Sequence, residues 1–182
     1  MQFEKMKLPG VVLVEPKIFE DERGFFFESY HRRLFDDQKI SADFVQDNHS
    51  RSKQGALRGM HYQIRQPQGK LVRVILGEIY DVAVDLRRSS PTFGQWEGFY
   101  LSAENKQQLY IPPGFAHGFY VVSKWTEVLY KATDYYAPQW ERTLLWNDTQ
   151  INISWPLLRG QQPLLSAKDA TGIPFEKAEV YP

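Results

Sequence analysis

The chain has 182 residues, enough for one domain with a sizeable hydrophobic core. Basic residues and acidic residues both number 22, so the formal net charge is zero, which excludes a nucleic-acid binder that works through a general basic field. The chain has no cysteine, no signal-peptide core and no apolar run of membrane length. These absences exclude disulfides, thiolate nucleophiles and iron–sulfur clusters, and we expect a cytoplasmic protein without a membrane partner.

The N-terminal part of the chain predicts short strands and one helix. Residues 11–14 form an apolar run after a Pro-Gly turn, and a second strand begins at the Phe triplet 25–27 after the polar turn 20–24. Neighbouring residues of a strand face opposite ways, so part of this triplet should meet another surface, such as a partner subunit. Residues 30–40 are the one helix candidate, and residues 44–48 look extended again.

The middle of the chain carries the clearest strand pattern. Residues 57–63 and 70–76 are predicted strands, separated by a turn at 66–69. In residues 79–86 apolar residues alternate with a set that includes two aspartates, which predicts a strand with one acidic edge. Gly77-Glu78 predicts a tight reversal and therefore a hairpin between the second and third of these strands.

The C-terminal half adds strands at 96–102, 109–111, 115–122 and 127–133. The pattern breaks after residue 138, and we expect the polar tail from Ser166 to pack as an arm. About ten short strands with at most one helix are typical of an all-β antiparallel jelly-roll barrel with short peripheral helices. We expect one such domain over residues 1–182.

Two histidines lie in or beside apolar strands, where a charged ring would be costly. His61 stands in RGMHYQ and His117 in PPGFAH, and these stretches resemble the two conserved motifs of the cupin superfamily. Metal-binding cupins place a second histidine two residues after the first, where this chain has Gln63. Two ring nitrogens and one amide oxygen make a poor metal site, so we expect no metal.

The same stretches contain groups suited to proton transfer. A histidine with a pKa of ~6.5 is a base near neutral pH, and a lysine such as Lys70, facing the same interior, can stabilise a developing oxyanion. Tyr130 can return a proton from the opposite face, although its periodicity alone favours a core aromatic. Asp169 can hold His61 by its other nitrogen, but the spacing in sequence does not show this contact.

Seven motifs spread over the chain carry a resemblance to one enzyme family. They are FEDERGFFFE (19–28), QDN (46–48), LRGMHYQ (57–63), QGKLVR (68–73), IPPGFAHGF (111–119), YKATDYYAP (130–138) and LSAKD (165–169). On these motifs the chain resembles the dTDP-4-dehydrorhamnose 3,5-epimerase family nearly end to end. The resemblance implies a jelly-roll subunit, a homodimer, no metal and no organic cofactor.

The resemblance also implies roles for individual residues. It makes His61 the base with Asp169 beside it, Tyr130 the acid, and Lys70 the group at the keto oxygen of the sugar. Tyr136 matches the aromatic that stacks on thymine, and the segment 23–28 is expected to reach the neighbouring subunit's site. The implied substrate-binding residues are Arg23, Glu28, Gln46, Asn48, Arg58, Lys70, His117, Tyr136, Glu141 and Lys168.

The implied reaction is inversion of C3 and C5 of dTDP-4-dehydro-6-deoxy-D-glucose, which gives dTDP-4-dehydro-L-rhamnose. The 4-keto group acidifies the hydrogens on both flanking carbons, so one base can act on each in turn. Four alternatives stay open. They are a relative that inverts one carbon, a nucleotide-sugar keto-isomerase on the same scaffold, a metal cupin such as a dioxygenase, and a non-catalytic sugar-binding jelly roll. Tyr130 weighs against the keto-isomerase, and Gln63 weighs against the metal cupin.

Overall fold

The structure, a computed structural model, describes residues 1–40 and 42–182, and most of its regular structure is β-strand. Valine, isoleucine and aromatic residues, which favour strands, are frequent in the longer strands. The strands are β1 Gln2–Lys5, β2 Val12–Glu15, β3 Phe19–Asp21, β4 Gly24–Phe26, β5 Gln46–Lys53, β6 Leu57–Gln63, β7 Lys70–Leu76, β8 Glu78–Asp85, β9 Trp96–Ser102, β10 Gln108–Ile111, β11 Phe115–Val121, β12 Trp125–Ala132 and β13 Glu141–Thr143.

Two antiparallel sheets form the body of the domain. The six-stranded sheet has the order β1-β2-β10-β7-β12-β5, and the five-stranded sheet has the order β13-β6-β11-β8-β9. One core cluster unites residues from both sheets, for example Val72 and Val128 of the first with Ile79, Leu101 and Phe119 of the second. The inner faces of the sheets therefore bury each other, and the predicted antiparallel jelly-roll architecture is confirmed.

The predicted hairpin between residues 70–76 and 79–86 is wrong. β7 pairs with β10 and β12 in one sheet, whereas β8 pairs with β11 and β9 in the other. Gly77 has a φ of +76°, a conformation that glycine adopts readily, and the chain passes there from one sheet to the other. Both strands present apolar residues to one core from opposite sides, so their alternation does not reveal which strands pair.

The acidic edge predicted on residues 79–86 is also corrected. Asp81 and Asp85 are fully buried, because β8 lies between β11 and β9 and is covered on both faces. Asp85 accepts hydrogen bonds from Arg87, Ser90 and Thr92. Asp81 instead faces His117, and this contact belongs to the site described below.

The helices are shorter and more numerous than predicted. The helix expected over residues 30–40 spans only α1 Arg32–Asp37, and Lys39 just beyond it has a φ of +63°. A second helix, α2 Ala167–Ala170, contradicts the prediction of at most one helix. The hydroxyl of Ser166 caps it by accepting the backbone N–H of Asp169, a signal that the Ser-x-x-Asp spacing carries in the sequence. Short 3-10 helices span Pro138–Trp140 and Phe175–Lys177.

The C-terminal tail and the β3–β4 hairpin near the N-terminus lie outside the strands of the two main sheets. The tail packs on the five-stranded sheet: Phe175 is buried, and the Tyr181 hydroxyl donates to the carbonyl of Gln63 at 2.6 Å. Near the other end, β3 and β4 form a separate hairpin whose Phe25 and Phe26 are 60% and 67% exposed. In the described part of the chain, no helix is long and apolar enough to cross a membrane.

Candidate active site

The candidate site is a cavity of about 350 Å³ whose walls come from both sheets. It brings together most of the residues singled out in the sequence, which lie far apart along the chain. Those that line it are Gln46, Asn48, Arg58, His61, Lys70, His117, Tyr130, Tyr136, Glu141 and Lys168.

Strand pairing explains why these side chains share one space. His61 of β6 lies directly opposite His117 of β11, and Tyr130 of β12 lies directly opposite Asn48 of β5. Residues opposite each other in an antiparallel pair project from the same face of the sheet. Two histidines from one sheet therefore face the tyrosine and asparagine of the other.

Asp169 supports His61 from behind. The Nε2 atom of His61 lies 2.6 Å from Oδ1 of Asp169, and the Asp169 side chain is only 4% exposed. The hydroxyl of Ser166 donates to the second carboxylate oxygen at 2.6 Å, and the Gly59 amide donates to the first at 3.3 Å. Burial alone would raise the pKa of Asp169, but the hydrogen bonds from His61 and Ser166 outweigh it and lower the pKa to about 2.

This pairing decides which nitrogen of His61 is basic. An ionised carboxylate only accepts hydrogen bonds, so Nε2 of His61 carries the proton that Asp169 receives. The lone pair of the neutral ring then sits on Nδ1. The His61 side chain is 25% exposed and lines the cavity, so the ring is placed as a base that a bound molecule can reach.

A second histidine–aspartate pair lies deeper in the same wall. Nε2 of His117 lies 2.9 Å from Asp81, whose side chain is completely buried, and Nδ1 of His117 lies 3.4 Å from the Lys70 amine. Burial lowers the pKa of Lys70 to about 8, although the negative charges of Asp81 and Glu141 act to raise it. Lys70 is therefore mostly cationic at neutral pH.

Tyr130 lies in the same cavity on the other sheet. Burial raises the pKa of its phenol, and the charge of Arg58 opposes this effect. The phenol therefore keeps its proton at neutral pH. A protonated Tyr130 in one cavity with the ring of His61 places an acid and a candidate base together.

A polar network lines the outer part of the cavity. Glu141 accepts hydrogen bonds from Lys168 at 2.7 Å and from the Tyr136 hydroxyl at 2.9 Å, and Tyr136 is 53% exposed. The guanidinium of Arg58 donates to the hydroxyl of Ser52 at 2.9 Å. Two cations and an exposed aromatic ring at one rim suit a ligand that carries phosphates and a base.

Several residues that line the cavity or support it are not among those predicted from the sequence. Ser50 follows Asn48 by two positions on β5, and both project into the cavity. Among the residues described, Oγ of Ser50 and Nδ2 of Asn48 are buried without a hydrogen-bond partner. The alternation of residues 46, 48, 50 and 52 on one strand face is a signal that could have found Ser50. Other missed residues are Gln68, Phe119, Ser166 and Asp81.

Two predicted binding residues do not join the cavity of their own chain. Arg23 lies in the turn of the β3–β4 hairpin, pairs with Asp21, and has a side chain that is 85% exposed. Glu28 follows that hairpin and does not line the cavity. Their expected reach into a neighbouring subunit's site stays a prediction.

Gln63 is held by backbone groups of the neighbouring loops. Its side-chain nitrogen donates to the carbonyls of Gln66 and Tyr135, and its side-chain oxygen accepts the amide of Ala137. Within residues 1–40 and 42–182, no three histidine, aspartate or glutamate side chains form a group that could hold a metal ion. The side chain at the second cupin position therefore orders a loop and does not extend a donor set.

Comparison with known proteins shows that this chain is similar to a family of nucleotide-sugar epimerases. A family model described as dTDP-4-dehydrorhamnose 3,5-epimerase matches residues 5–177. A Pseudomonas aeruginosa protein named dTDP-4-dehydrorhamnose 3,5-epimerase is 58% identical over the full length of both chains. The structure of a Legionella pneumophila dTDP-6-deoxy-D-glucose-3,5-epimerase in complex with dTDP-4-keto-L-rhamnose superposes with a TM-score of 0.94, at 50% identity over 98% of this chain and 94% of that one.

A more distant neighbour has a narrower activity in its name. It is a 3'-monoepimerase from Streptomyces bikiniensis in complex with dTDP-quinovose. Its structure superposes with a TM-score of 0.85, at 32% identity over 93% of this chain and 85% of that one. One scaffold therefore serves proteins named for two inversions and for one.

Proposed function

Because the chain belongs to the dTDP-4-dehydrorhamnose 3,5-epimerase family, we propose that His61, Lys70 and Tyr130 carry out its reaction. The protein is an isomerase that acts on a nucleotide sugar in the dTDP-L-rhamnose pathway. It inverts C3 and C5 of dTDP-4-dehydro-6-deoxy-D-glucose to give dTDP-4-dehydro-L-rhamnose. The observation that carries the assignment of residues is a carboxylate-held His61 that shares one cavity with a cationic Lys70 and a protonated Tyr130.

The first step is removal of a proton from a carbon beside the keto group. Nδ1 of His61 takes the proton, and the electron pair of the broken C–H bond moves into the carbonyl to form an enolate. The ring becomes an imidazolium, which the negative charge of Asp169 stabilises at 2.6 Å. The same base serves C3 and C5, because both carbons flank the one carbonyl.

Lys70 supports the charge that this step creates. The enolate oxygen carries the negative charge, and a cation placed there before the reaction stabilises the transition state without reorganisation. The pKa of about 8 keeps the Lys70 amine mostly protonated at neutral pH. The same pKa predicts that Lys70 loses its charge in mildly alkaline solution, so that the enolate is no longer stabilised there.

Tyr130 completes the inversion. It delivers its phenolic proton to the opposite face of the enolate carbon, which re-forms the carbonyl and inverts that carbon. The phenolate then takes a proton from water, and the imidazolium of His61 gives one to water, so the enzyme returns to its starting state. Each inverted carbon therefore gains one hydrogen that comes from solvent.

Substrate binding is assigned to the polar rim. Arg58 and Lys168 provide cations for the diphosphate, and Tyr136 offers an exposed ring to the thymine. Gln46, Asn48, His117 and Glu141 line the cavity beside them. We propose a homodimer in which Arg23 and Glu28 of one subunit complete the site of the other, since the exposed Phe25 and Phe26 beside them need a covering surface.

Three expectations from the sequence remain proposals. They are activity without metal or organic cofactor, one domain over residues 1–182, and a cytoplasmic location. Unchanged activity after dialysis against a chelator checks the first. A single cooperative unfolding transition checks the second, and cell fractionation checks the third.

The test of the proposed function is incubation with dTDP-4-dehydro-6-deoxy-D-glucose in heavy water, followed by NMR. We expect deuterium at both C3 and C5, with both centres inverted. Deuterium and inversion at one carbon would identify a monoepimerase, and a displaced carbonyl would identify a keto-isomerase. No deuterium at either carbon would overturn the proposal.

A further inference from the structure

Asp81 is a buried carboxylate for which the proposed reaction has no role so far. It lies in the middle of β8, and its side chain is completely inaccessible to solvent. A buried carboxylate is costly unless it is paired, and both Asp81 oxygens lie within 3.1 Å of one atom, Nε2 of His117. In the described residues it receives no other side-chain hydrogen bond. Among the described side chains, His117 is therefore the hydrogen-bonding link between Asp81 and the cavity.

The state of His117 follows from its surroundings. Burial lowers the pKa of this ring, so it is neutral and carries one N–H. Asp81 accepts that N–H at Nε2, which leaves a lone pair on Nδ1. The Lys70 amine donates to this lone pair at 3.4 Å. A chain of two hydrogen bonds thus runs from a buried negative charge to the amine in the cavity.

We propose that Asp81 is a positioning residue that acts through His117 to keep the Lys70 amine protonated and aimed at the keto oxygen of the substrate. This inference rests on the proposed function. An ammonium has three N–H groups, and fixing one of them on His117 turns the others toward the cavity. Asp81 also selects the ring tautomer that can accept from a cation, since the opposite tautomer would point an N–H at the Lys70 amine.

The Lys70 amine has titratable groups around it on several elements. His117 on β11 contacts it, and His61 on β6 and Tyr130 on β12 line the same cavity. Asp81 on β8, Glu141 on β13 and Lys168 on α2 act on its pKa through their charges. The two carboxylates raise the pKa of Lys70, with Asp81 the stronger, while burial and Lys168 lower it. Glu141 already pairs with Lys168 and Tyr136. Removing the charge of Asp81 therefore lowers the pKa of Lys70 further.

The test is the pH profile of kcat/KM for the wild type and for Asp81→Asn. The wild-type rate should fall as pH rises through about 8, where Lys70 loses its proton. In the variant this fall should move to lower pH by about one unit, so its deficit grows about tenfold from pH 6 to pH 9. A deficit of the same size at every pH would show a merely structural role and overturn the proposal.

Lys70→Arg provides the matched control, because arginine keeps its charge over this range. In that background the alkaline fall should disappear, and adding Asp81→Asn should no longer change the shape of the profile. If Asp81→Asn still shifts the profile there, Asp81 acts on another group and the proposal is wrong.

One measurement does not depend on the variants folding. Nitrogen NMR of the histidines in the wild-type protein at pH 7 should show His117 protonated at Nε2 and unprotonated at Nδ1. A proton on Nδ1 would overturn the proposal. The two claims can fail separately. A wild-type protein that exchanges no deuterium into the substrate would overturn the proposed function. The protonation of His117 would still test the hydrogen bonds that link Asp81, His117 and Lys70.

Discussion

Two histidine–aspartate pairs lie side by side in this protein, and we propose different roles for them. His61 and His117 are directly paired across β6 and β11, and each places Nε2 against a buried carboxylate, at 2.6 Å and 2.9 Å. The difference lies at the other nitrogen. Nδ1 of His61 belongs to a ring that is 25% exposed in the cavity, whereas Nδ1 of His117 contacts Lys70 and its ring is 8% exposed.

A histidine–aspartate pair alone therefore does not define a base. In both pairs the carboxylate fixes the tautomer, so the remaining lone pair decides the role. A lone pair that faces the substrate makes a base, and one that faces an amine makes an anchor for that amine.

Replacing the base should have the largest effect. His61→Asn should reduce kcat by about 10³-fold and abolish deuterium exchange at C3 and C5, because the second histidine of the cavity, His117, has its Nδ1 against Lys70. His117→Asn should lower the rate but retain slow exchange, since His61 is intact. The measurement is NMR of the substrate in heavy water. Equal loss of exchange in both variants would show that the two histidines are not distinguished as described.

Tyr130→Phe should separate exchange from inversion. Without the phenol the inversion rate should fall by about 10²-fold, while His61 continues to remove a proton and return it to the same face. Substrate recovered from heavy water should then carry deuterium with its original configuration. Loss of exchange together with inversion would mean that Tyr130 is needed for proton removal, contrary to its assignment as the acid.

Ser166→Ala should have an intermediate effect, of about tenfold on kcat with little change in KM. Ser166 donates to Asp169, which in turn holds His61, so the variant loosens the orientation of the base without touching substrate.

Ser50→Ala is the contrasting change, because Ser50 lines the cavity. It should raise KM a few-fold and leave kcat nearly unchanged, and the opposite pattern would refute these two placements.

The contributions of the two histidine–aspartate pairs to the stability of the protein should also be lost in different pH ranges. The pKa of His117 is lowered in the folded protein, so its contribution is intact above the unfolded value of 6.5 and is lost as pH falls below it. The pKa of Asp169 is lowered from 3.8 to about 2, so its contribution is lost only between those values, and amounts to about 2 kcal/mol at most.

Urea unfolding measured from pH 7 to pH 2 checks this order. The wild type should weaken first below pH 6.5 and again below pH 4. His117→Asn should lack the first decline, and Asp169→Asn should lack part of the second. A first decline that persists in His117→Asn would assign it to another group.

Local pattern was sufficient for much of the site. The strands at 57–63 and 70–76 have the bounds that the sequence predicts, because a turn with Pro and Gly separates two β-rich runs. His61 and Lys70 lie on these strands, but only the cavity between the two sheets shows that they share one interior. Tyr130 was different, since its periodicity favoured a core aromatic and only the family resemblance gave it a role.

What failed depends on contacts between distant segments. Alternation shows that a strand is covered, but it does not show which strand lies beside it, so β7 and β8 were joined into a hairpin that does not exist. For the same reason, alternation does not reveal that Asp81 is buried. An aspartate at alternate positions predicts an exposed face, and only the position of β8 between β11 and β9, opposite His117, shows that it is buried and paired.

We propose that an open Nδ1 makes His61 the base, while Lys70, anchored on His117, supports the enolate. The most direct test follows C3 and C5 of dTDP-4-dehydro-6-deoxy-D-glucose by NMR in heavy water with the wild type, His61→Asn and His117→Asn in parallel. We expect deuterium and inversion at both carbons for the wild type, slow exchange for His117→Asn, and none for His61→Asn. Undiminished exchange in His61→Asn would contradict the proposal.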